Sequence, residues 1–546
     1  MASTFDFASW PPSLTVDQLE NLTLYATSYA LSHGALYLPP AEPQPTVPSA
    51  AIHAPISLFP SPFPRQLYEQ GRRIQRTYNV LYSRIAMDTE FLDKIMGAEE
   101  GVGKVDDFIG QLWRGWKKLR DAGLAQVRPF SREGTVMRLI SGQPLHLGLF
   151  RSDYLLHAPR NEPLSIKQVE FNTISVSFGG LSQKTSELHR YLLAATDYYN
   201  SSSYLKPDNF PSNDSIAGLA QGLAEAHKAY DVEGSRILFV VQSGERNVFD
   251  QRLLEYELLE KHSIRIIRQT FSELALSASV DPSTCVLRIA RSPDLQPSGS
   301  IEISTVYFRA GYMPHDYHTP AHYDTRFLLE SSKAIKCPTI ALQLAGGKKV
   351  QEVLTQAGML ERFLSDEKKY GKNIASMQDI DELRASFMGM WVLDVSEDLL
   401  TPDYAAQAAG SEEFGVRKAR DLAQSPVLKP QREGGGNNVY KESIPGFLDA
   451  LAPQERQAWI AMELIDAPEN AGNYLVRAGS TDSQSQTPVK TDVVSELGIF
   501  GWALFGGPDK SIDEREVGWL VRTKGKDINE GGVATGFSVL DSLLLV

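Results

Sequence analysis

The stretch LKPQREGGGNNVYKE, residues 428 to 442, sets Lys429, Glu433, three consecutive glycines (Gly434, Gly435 and Gly436) and the pair Asn437 and Asn438 within one short segment. SPVLKP, just before the glycines, reads as a strand, so Lys429 stands at a strand end and the glycines form the loop that follows. Without Cβ atoms, such a loop lets backbone N–H groups approach a phosphate chain. Magnesium prefers carboxylate and amide oxygens, whereas phosphate prefers lysine and N–H donors, and this segment holds both sets. Three glycines alone would better describe a hairpin tip; the flanking Lys, Glu and Asn point to a metal–phosphate site. It is neither a Walker loop, since AGGKKV (345–350) lacks the earlier Gly and the Ser/Thr, nor a kinase GxGxxG.

A second cluster lies in KQVEFNTISVSFGG, 167 to 180, where Glu170 and Asn172 are two apart and share one face of a strand. Taken singly, this is also the pattern of an amphipathic strand with a polar outer face. Ser175 and Ser177 repeat the spacing. Three basic positions carry the same double reading. Arg151, in RSDY, forms either a surface ion pair with Asp153 or an anion contact; Lys348 is either a solvated residue at a helix start or a phosphate ligand. Arg522 and Lys524 lie on one strand face ahead of a glycine loop around Val533 and Ala534. Their joint occurrence favours an oxygen-rich magnesium site built from Glu170, Asn172 and Glu433 and ringed by cations.

These residues need elements to position them. Thr15 with Gln18 resembles a capping box, and Leu19, Leu22, Ala26 and Tyr29 follow at helical spacing, so the chain starts with a docked helix. A proline-rich connection, 39 to 50, leads to a helical region at about 66 to 98. RILFVVQ (236–242), ERNVFDQRLLEYELLEKH (245–262) and IRIIRQTF (264–271) read as strand, helix and strand, a βαβ unit, with TVYFRAGY (305–312) as a further strand. Ligands gather at the carboxyl ends of such strands, here the Gln242 to Asn247 turn and the Arg309 to Tyr312 exit. Beyond 340, runs at 426–430, 459–466, 473–477, 492–502 and 517–523 predict an antiparallel sheet, with STDSQSQTP (480–488) as a polar loop.

The 546 residues carry 67 acidic and 54 basic side chains, a net charge of -13, so nucleic acid and anionic membrane are excluded as partners and an anionic ligand needs a local basic pocket. Cys285 and Cys337, the only cysteines, have no metal-ligand spacing and fit a reducing compartment. MASTFDFASWPP has no basic region followed by an apolar run, and no span of membrane length occurs, so a cytoplasmic location is expected.

KQVEFNTISVSFGG, ERNVFDQR, YFRAGYMP, QLAGGKKV, LKPQREGGGNNVY, SELGIFG and LVRTKGKD with GGVATG together resemble, in family order, the motifs of the eukaryotic glutathione synthetases. APISLFPSPFP (54–64) extends the resemblance, which covers nearly the whole chain. It implies an α/β (α+β) fold: an ATP-grasp body with antiparallel sheet and lid, plus a permuted α/β substrate-binding domain. The implied division is 1–230, 231–345 and 346–546. The implied reaction is ATP- and magnesium-dependent ligation of γ-glutamylcysteine with glycine through an acyl phosphate, by a cytoplasmic homodimer. By motif, Glu170, Asn172 and Glu433 resemble the magnesium ligands; Glu170, Lys348, Lys429, Glu433, Gly434 to Asn438 and Tyr440 resemble the phosphate side of the ATP site. Met462, Glu463, Leu464 and Ile465 resemble the adenine edge, and Glu496, Lys524 and Glu530 complete the nucleotide set. Arg151, Ser175, Ser177, Glu245, Arg246, Asn247, Gln251, Arg309 and Tyr312 match the dipeptide contacts, and Arg522, Val533 and Ala534 the glycine end; Arg151 and Arg522 would also offset charge during catalysis. The alternatives are a homolog that accepts another amine such as β-alanine, since one methylene changes binding by only about 1–3 kcal/mol, and a non-catalytic nucleotide-binding regulator.

Overall fold

The computed structural model describes residues 5–39, 48–124, 145–290, 299–372, 375–394, 414–432, 436–477, 488, 490–528, 531–533 and 536–546. The predicted first helix is Val16–Ser32, with the reciprocal Thr15–Gln18 capping box in place, and 66–98 resolves into the helices Arg65–Met87 and Thr89–Met96.

The runs beyond 340 do not make one sheet. Pro426–Pro430 and Trp459–Glu463 join Met390–Val392 and Val439–Tyr440 in a four-stranded sheet. Gly472–Val476, Lys490–Phe505 and Ile512–Gly525 enter a separate seven-stranded sheet, completed by Ile56–Ser57, His146–His157, Ser165–Asn172 and Ser538–Asp541. His146–His157, from the first third of the chain, pairs along Lys490–Phe505 over ten registered positions.

Strand alternation gives this large sheet two differently used faces. Leu497, Ile499 and Val521 are buried with Ile74, Tyr78 and Ile85 of the helix Arg65–Met87. Phe500, Trp502 and Leu520 turn the other way and pack with Leu219 and Leu223 of the helix Ser215–Tyr230. Farther along this second face the residue type changes from apolar to charged: Glu496, Arg522, Arg151 and Asp153 continue it. In the next strand pair, Arg151 stands opposite Asn172 and Asp153 opposite Glu170.

The βαβ reading holds. Arg236–Val240 lies parallel to both Ile266–Gln269 and Ser300–Phe308, the helix Val248–His262 links the first two, and Ile335–Cys337 adds another parallel strand. Lys336 on that last strand is buried and donates to the Ser332 carbonyl at 2.7 Å. Burial, against the pull of Glu330, lowers its pKa to about 7. Because the unfolded lysine still binds its proton up to its ordinary value of 10.5, stability rises with pH from about 7 towards 10.5. Lys336→Met is therefore expected to raise the melting midpoint most at pH 6–7, by about 1 °C per kcal/mol released for a chain of this length, and to lose that advantage towards pH 10. An identical gain at pH 6 and pH 10 in thermal melts would contradict the burial argument.

Candidate active site

The charged half of the large sheet faces a cavity of about 1470 Å³ whose opposite wall is the four-stranded sheet. Glu170 is its electrostatic centre. Lys348, the first residue of the helix Lys348–Leu354, is buried and places Nζ 2.6 Å from Glu170 Oε2. Of the two readings of Lys348, the solvated helix-start lysine does not hold, since the helix begins against the sheet. Lys429 reaches the same strand from the other wall and donates to the Val169 carbonyl at 2.8 Å. Burial alone would raise the Glu170 pKa, but Lys348 and Lys429 outweigh it and hold the carboxyl well below the ordinary range.

Arg151 is likewise not a surface residue. It is 5 % exposed, and its Nε and Nη2 donate to Asp153 Oδ1 and Oδ2 at 2.6 and 2.7 Å. Asn172 Nδ2 donates to Asp153 Oδ2 at 3.0 Å and to the Arg151 carbonyl at 3.3 Å, which leaves the amide oxygen for a cation. Arg522 contacts Glu496, its cross-strand neighbour, and donates to Asp153 Oδ2 at 3.0 Å. Burial would lower the Arg522 pKa, yet Glu496 and Asp153 push it upward; burial raises that of Glu496 despite Arg522. An oxygen-only set, Glu170 carboxylate and Asn172 amide, flanked by two lysines, suits magnesium bound to phosphates.

Lys429, Asn437, Asn438 and Tyr440 line the cavity, and Asn438 Nδ2 donates to Tyr440 Oη at 3.1 Å. Met462, Glu463, Leu464, Ile465, Glu496, Lys524 and Val533 line it as well. Gly436 takes φ +80°, which a side-chain-bearing residue rarely adopts. Glu433, Gly434, Gly435, Glu530 and Ala534 lie outside the described residues.

The residues whose motifs resemble dipeptide contacts divide between two places. Ser175, Ser177 and Tyr312 reach the large cavity. Ser175 has φ +53°, a strained conformation for a serine, and donates to the Phe308 carbonyl at 3.1 Å; Ser177 donates to the Ser175 carbonyl at 2.9 Å. Arg309 leaves the end of the strand Ser300–Phe308 and clamps this loop, donating to the Val176 carbonyl at 2.6 Å and to Ser177 Oγ at 2.8 Å. Glu245 and Arg246 instead line a neighbouring cavity of about 580 Å³. Arg246 donates to the Leu38 carbonyl and lies 4.9 Å from the Tyr37 ring centroid. Asn247 and Gln251 are buried beside Glu245, which accepts from the Asn247 N–H at 2.9 Å and from Gln251 Nε2 at 3.3 Å. The cavities adjoin where Gln242 Nε2 donates to Tyr312 Oη at 3.3 Å.

Sequence reasoning gave Asp153 only a minor part, although its position two residues from Arg151 on one strand face was a usable signal. Met388, Trp391 and Val427, which make the apolar part of the four-stranded wall, belong to no motif and carried no signal.

A nucleotide-sized cleft between a four-stranded antiparallel sheet and a mainly antiparallel seven-stranded one, with lysines from both walls converging on one carboxylate, is the arrangement of an ATP-grasp ligase. The family model of the eukaryotic glutathione synthase ATP-binding domain matches residues 16–545. The glutathione synthetase large chain of Schizosaccharomyces pombe is 35% identical over 550 residues, covering 97% of this chain and 98% of that protein. The Homo sapiens glutathione synthetase is 36% identical over 527 residues, 96% of each. A glutathione synthetase-like effector from Globodera pallida in its apo form shares the fold, with a TM-score of 0.68 at 22% identity over 98% of both chains. This chain belongs to the eukaryotic glutathione synthase family, and it is an ATP-binding ligase of glutathione synthesis.

Proposed function

We propose that the chain joins γ-glutamylcysteine to glycine, with cleavage of ATP to ADP and phosphate, by way of an acyl phosphate. The observation that supports this most is the concentration of fixed charge on one face of the large sheet, where Glu170, Lys348, Lys429, Arg151, Glu496 and Arg522 line the cavity and the buried Asp153 ties Arg151 to Arg522 behind it. A carboxylate does not condense with an amine in water unless an oxygen becomes a leaving group. The cysteinyl carboxylate attacks the γ-phosphorus, ADP departs, and the glycine amine then adds to the acyl carbon. The carbon–oxygen bond to phosphate breaks, phosphate leaves, and the amine gives up a proton. Each step passes through concentrated negative charge, so fixed cations and positioning supply the catalysis.

In this proposal Lys348, Lys429, Lys524 and the Gly434–Asn438 loop hold the phosphates, and Met462 to Ile465 border the adenine. Glu170 and Asn172, with Glu433, would hold magnesium, which when bound draws charge from the phosphate oxygens. Ser175, Ser177, Arg309 and Tyr312 bind the dipeptide with Glu245, Asn247 and Gln251 behind them. Val533 and Ala534 border glycine, next to Arg522. A cytoplasmic homodimer belongs to the same proposal and rests on the family resemblance; one relative, from Solanum lycopersicum, is named as chloroplastic. Among the described residues no helix is long and apolar enough to cross a membrane.

The test is an assay with ATP, γ-glutamylcysteine and glycine across a magnesium series, reading phosphate and product mass together, with β-alanine as a parallel amine. Tripeptide forming in step with phosphate is the expected result. Phosphate without the glycine tripeptide would overturn the amine assignment, and ATP binding without turnover would overturn the reaction. Arg309→Ala removes two charged hydrogen bonds that shape the serine loop. At about 1.5–3 kcal/mol it is expected to raise KM for the dipeptide about 10–100-fold and leave KM for ATP nearly unchanged. A defect confined to ATP would remove Arg309 from the dipeptide side.

A further inference from the structure

Asp153 is fully buried, and it is where the metal-side and arginine-side residues meet. Oδ1 accepts from Arg151 Nε at 2.6 Å. Oδ2 accepts from three groups on three strands: Arg151 Nη2 at 2.7 Å, Asn172 Nδ2 at 3.0 Å and Arg522 Nη2 at 3.0 Å. The sheet is built around this carboxylate. Gly498 stands opposite Asp153 on the neighbouring strand, and a Cβ there would come within 2.8 Å of both Arg151 Cδ and Asp153 Oδ1. Such a distance is shorter than real Cβ contacts allow, so the strand is bare where the ion pair needs room.

Two consequences follow from the geometry. The carboxylate accepts only, so it fixes which end of the Asn172 amide turns inward: the nitrogen faces Asp153 and the oxygen is left for a cation. It also holds two guanidinium groups at set positions although both are cations, because its counter-charge is shared between them, with Glu496 as a second counter-charge for Arg522. We propose that Asp153 is a positioning residue for the ligation, acting through Asn172 on the metal and through Arg151 and Arg522 on the reacting carboxylate, without touching substrate. This rests on the reading of the site given above.

Asp153→Asn keeps the side-chain shape but removes the charge and one acceptor. The measurement is initial-rate kinetics of wild type, Asp153→Asn and Gly498→Ala over separate series of dipeptide, ATP and magnesium, with thermal melts of each. Wild-type tripeptide formation checks the underlying reaction; if it is absent, that reading falls and this inference with it. With wild type active, Asp153→Asn is expected to raise KM for the dipeptide and the magnesium concentration for half-maximal rate by about 10–100-fold, the cost typical of removing an outer partner of a metal ligand. KM for ATP measured at saturating magnesium should stay within about twofold, and Gly498→Ala should give a weaker copy of the same pattern. A fall in kcat alone, with both constants unchanged, overturns the proposal. If Asp153→Asn does not fold, Gly498→Ala decides by the same criterion; if neither folds, Asp153 is structural only and the proposal is overturned.

Discussion

Glu170→Gln is expected to lower turnover on the order of 10³-fold, the scale of losing a central electrostatic group in a water-poor site, and to shift its magnesium dependence. The carboxylate is paired at 2.6 Å with Lys348 and lies within the field of Lys429, so the neutral amide leaves two buried ammonium groups without their main counter-charge. Glu170 is partly exposed to the cavity, so breaking the pair costs less than the roughly 3–5 kcal/mol of a fully buried one. ATP phosphates offset part of this, so nucleotide should stabilise the variant more than the wild type in a melt. The acid side gives an independent check. Because the folded pKa is depressed, the contribution of Glu170 is complete above its unfolded value of 4.5 and is lost as the pH falls through the folded value. The variant should therefore show a shallower loss of stability below pH 4.5. Turnover within tenfold of wild type, at unchanged magnesium dependence, would remove Glu170 from the metal–phosphate centre.

Asp250→Ala is expected to cost about 3–5 kcal/mol of stability and to weaken dipeptide binding at the same time. The helix Gly179–Thr196 starts directly after the serine loop, and its N-cap position is Phe178 at φ +69°, with no capping side chain of its own. Its first N–H groups are instead satisfied from another helix. Asp250 Oδ2 accepts from the Phe178 N–H at 2.8 Å, and Oδ1 accepts from Gly180 and Leu181 at 2.8 and 3.1 Å. Alanine leaves these three donors buried without acceptors and frees the turn that carries Ser175 and Ser177. Arg309, whose charge acts on Asp250, loses a counter-charge in the same step. Asp250→Asn is expected to recover only part of the loss, since its amide nitrogen would face N–H donors. Melting within a degree of wild type, or an unchanged KM for the dipeptide, would contradict this linkage.

The parts legible in the sequence were those whose causes are local. A capping box, strand-length apolar runs and the strand–helix–strand spacing of 236–271 rest on backbone periodicity, and the elements stand within a few residues of where the pattern put them. The pairing of Glu170 with Asn172 was legible for the same reason, because strand side chains two apart share a face. Whether such a face meets solvent is not a local property. Arg151 and Asp153 read equally well as a surface pair, and only the strands on either side of them, one with Gly498 opposite Asp153, show the pair to be buried. The split of Glu245 and Arg246 from the serine loop was hidden likewise, since it depends on where the N-terminal residues Tyr37 and Leu38 pack.

By itself the sequence determined which residue types were available, their order, the local elements and, through seven ordered motifs, the family. Tertiary structure alone decided which of them act together: Lys348 meets Glu170 across 178 residues, and Arg522 meets Asp153 across 369. It also sorted the late strands into two sheets with a cavity between them. The physical reason is that charges become strong only where water is excluded, and exclusion comes from sheets built of distant segments, which no local pattern encodes.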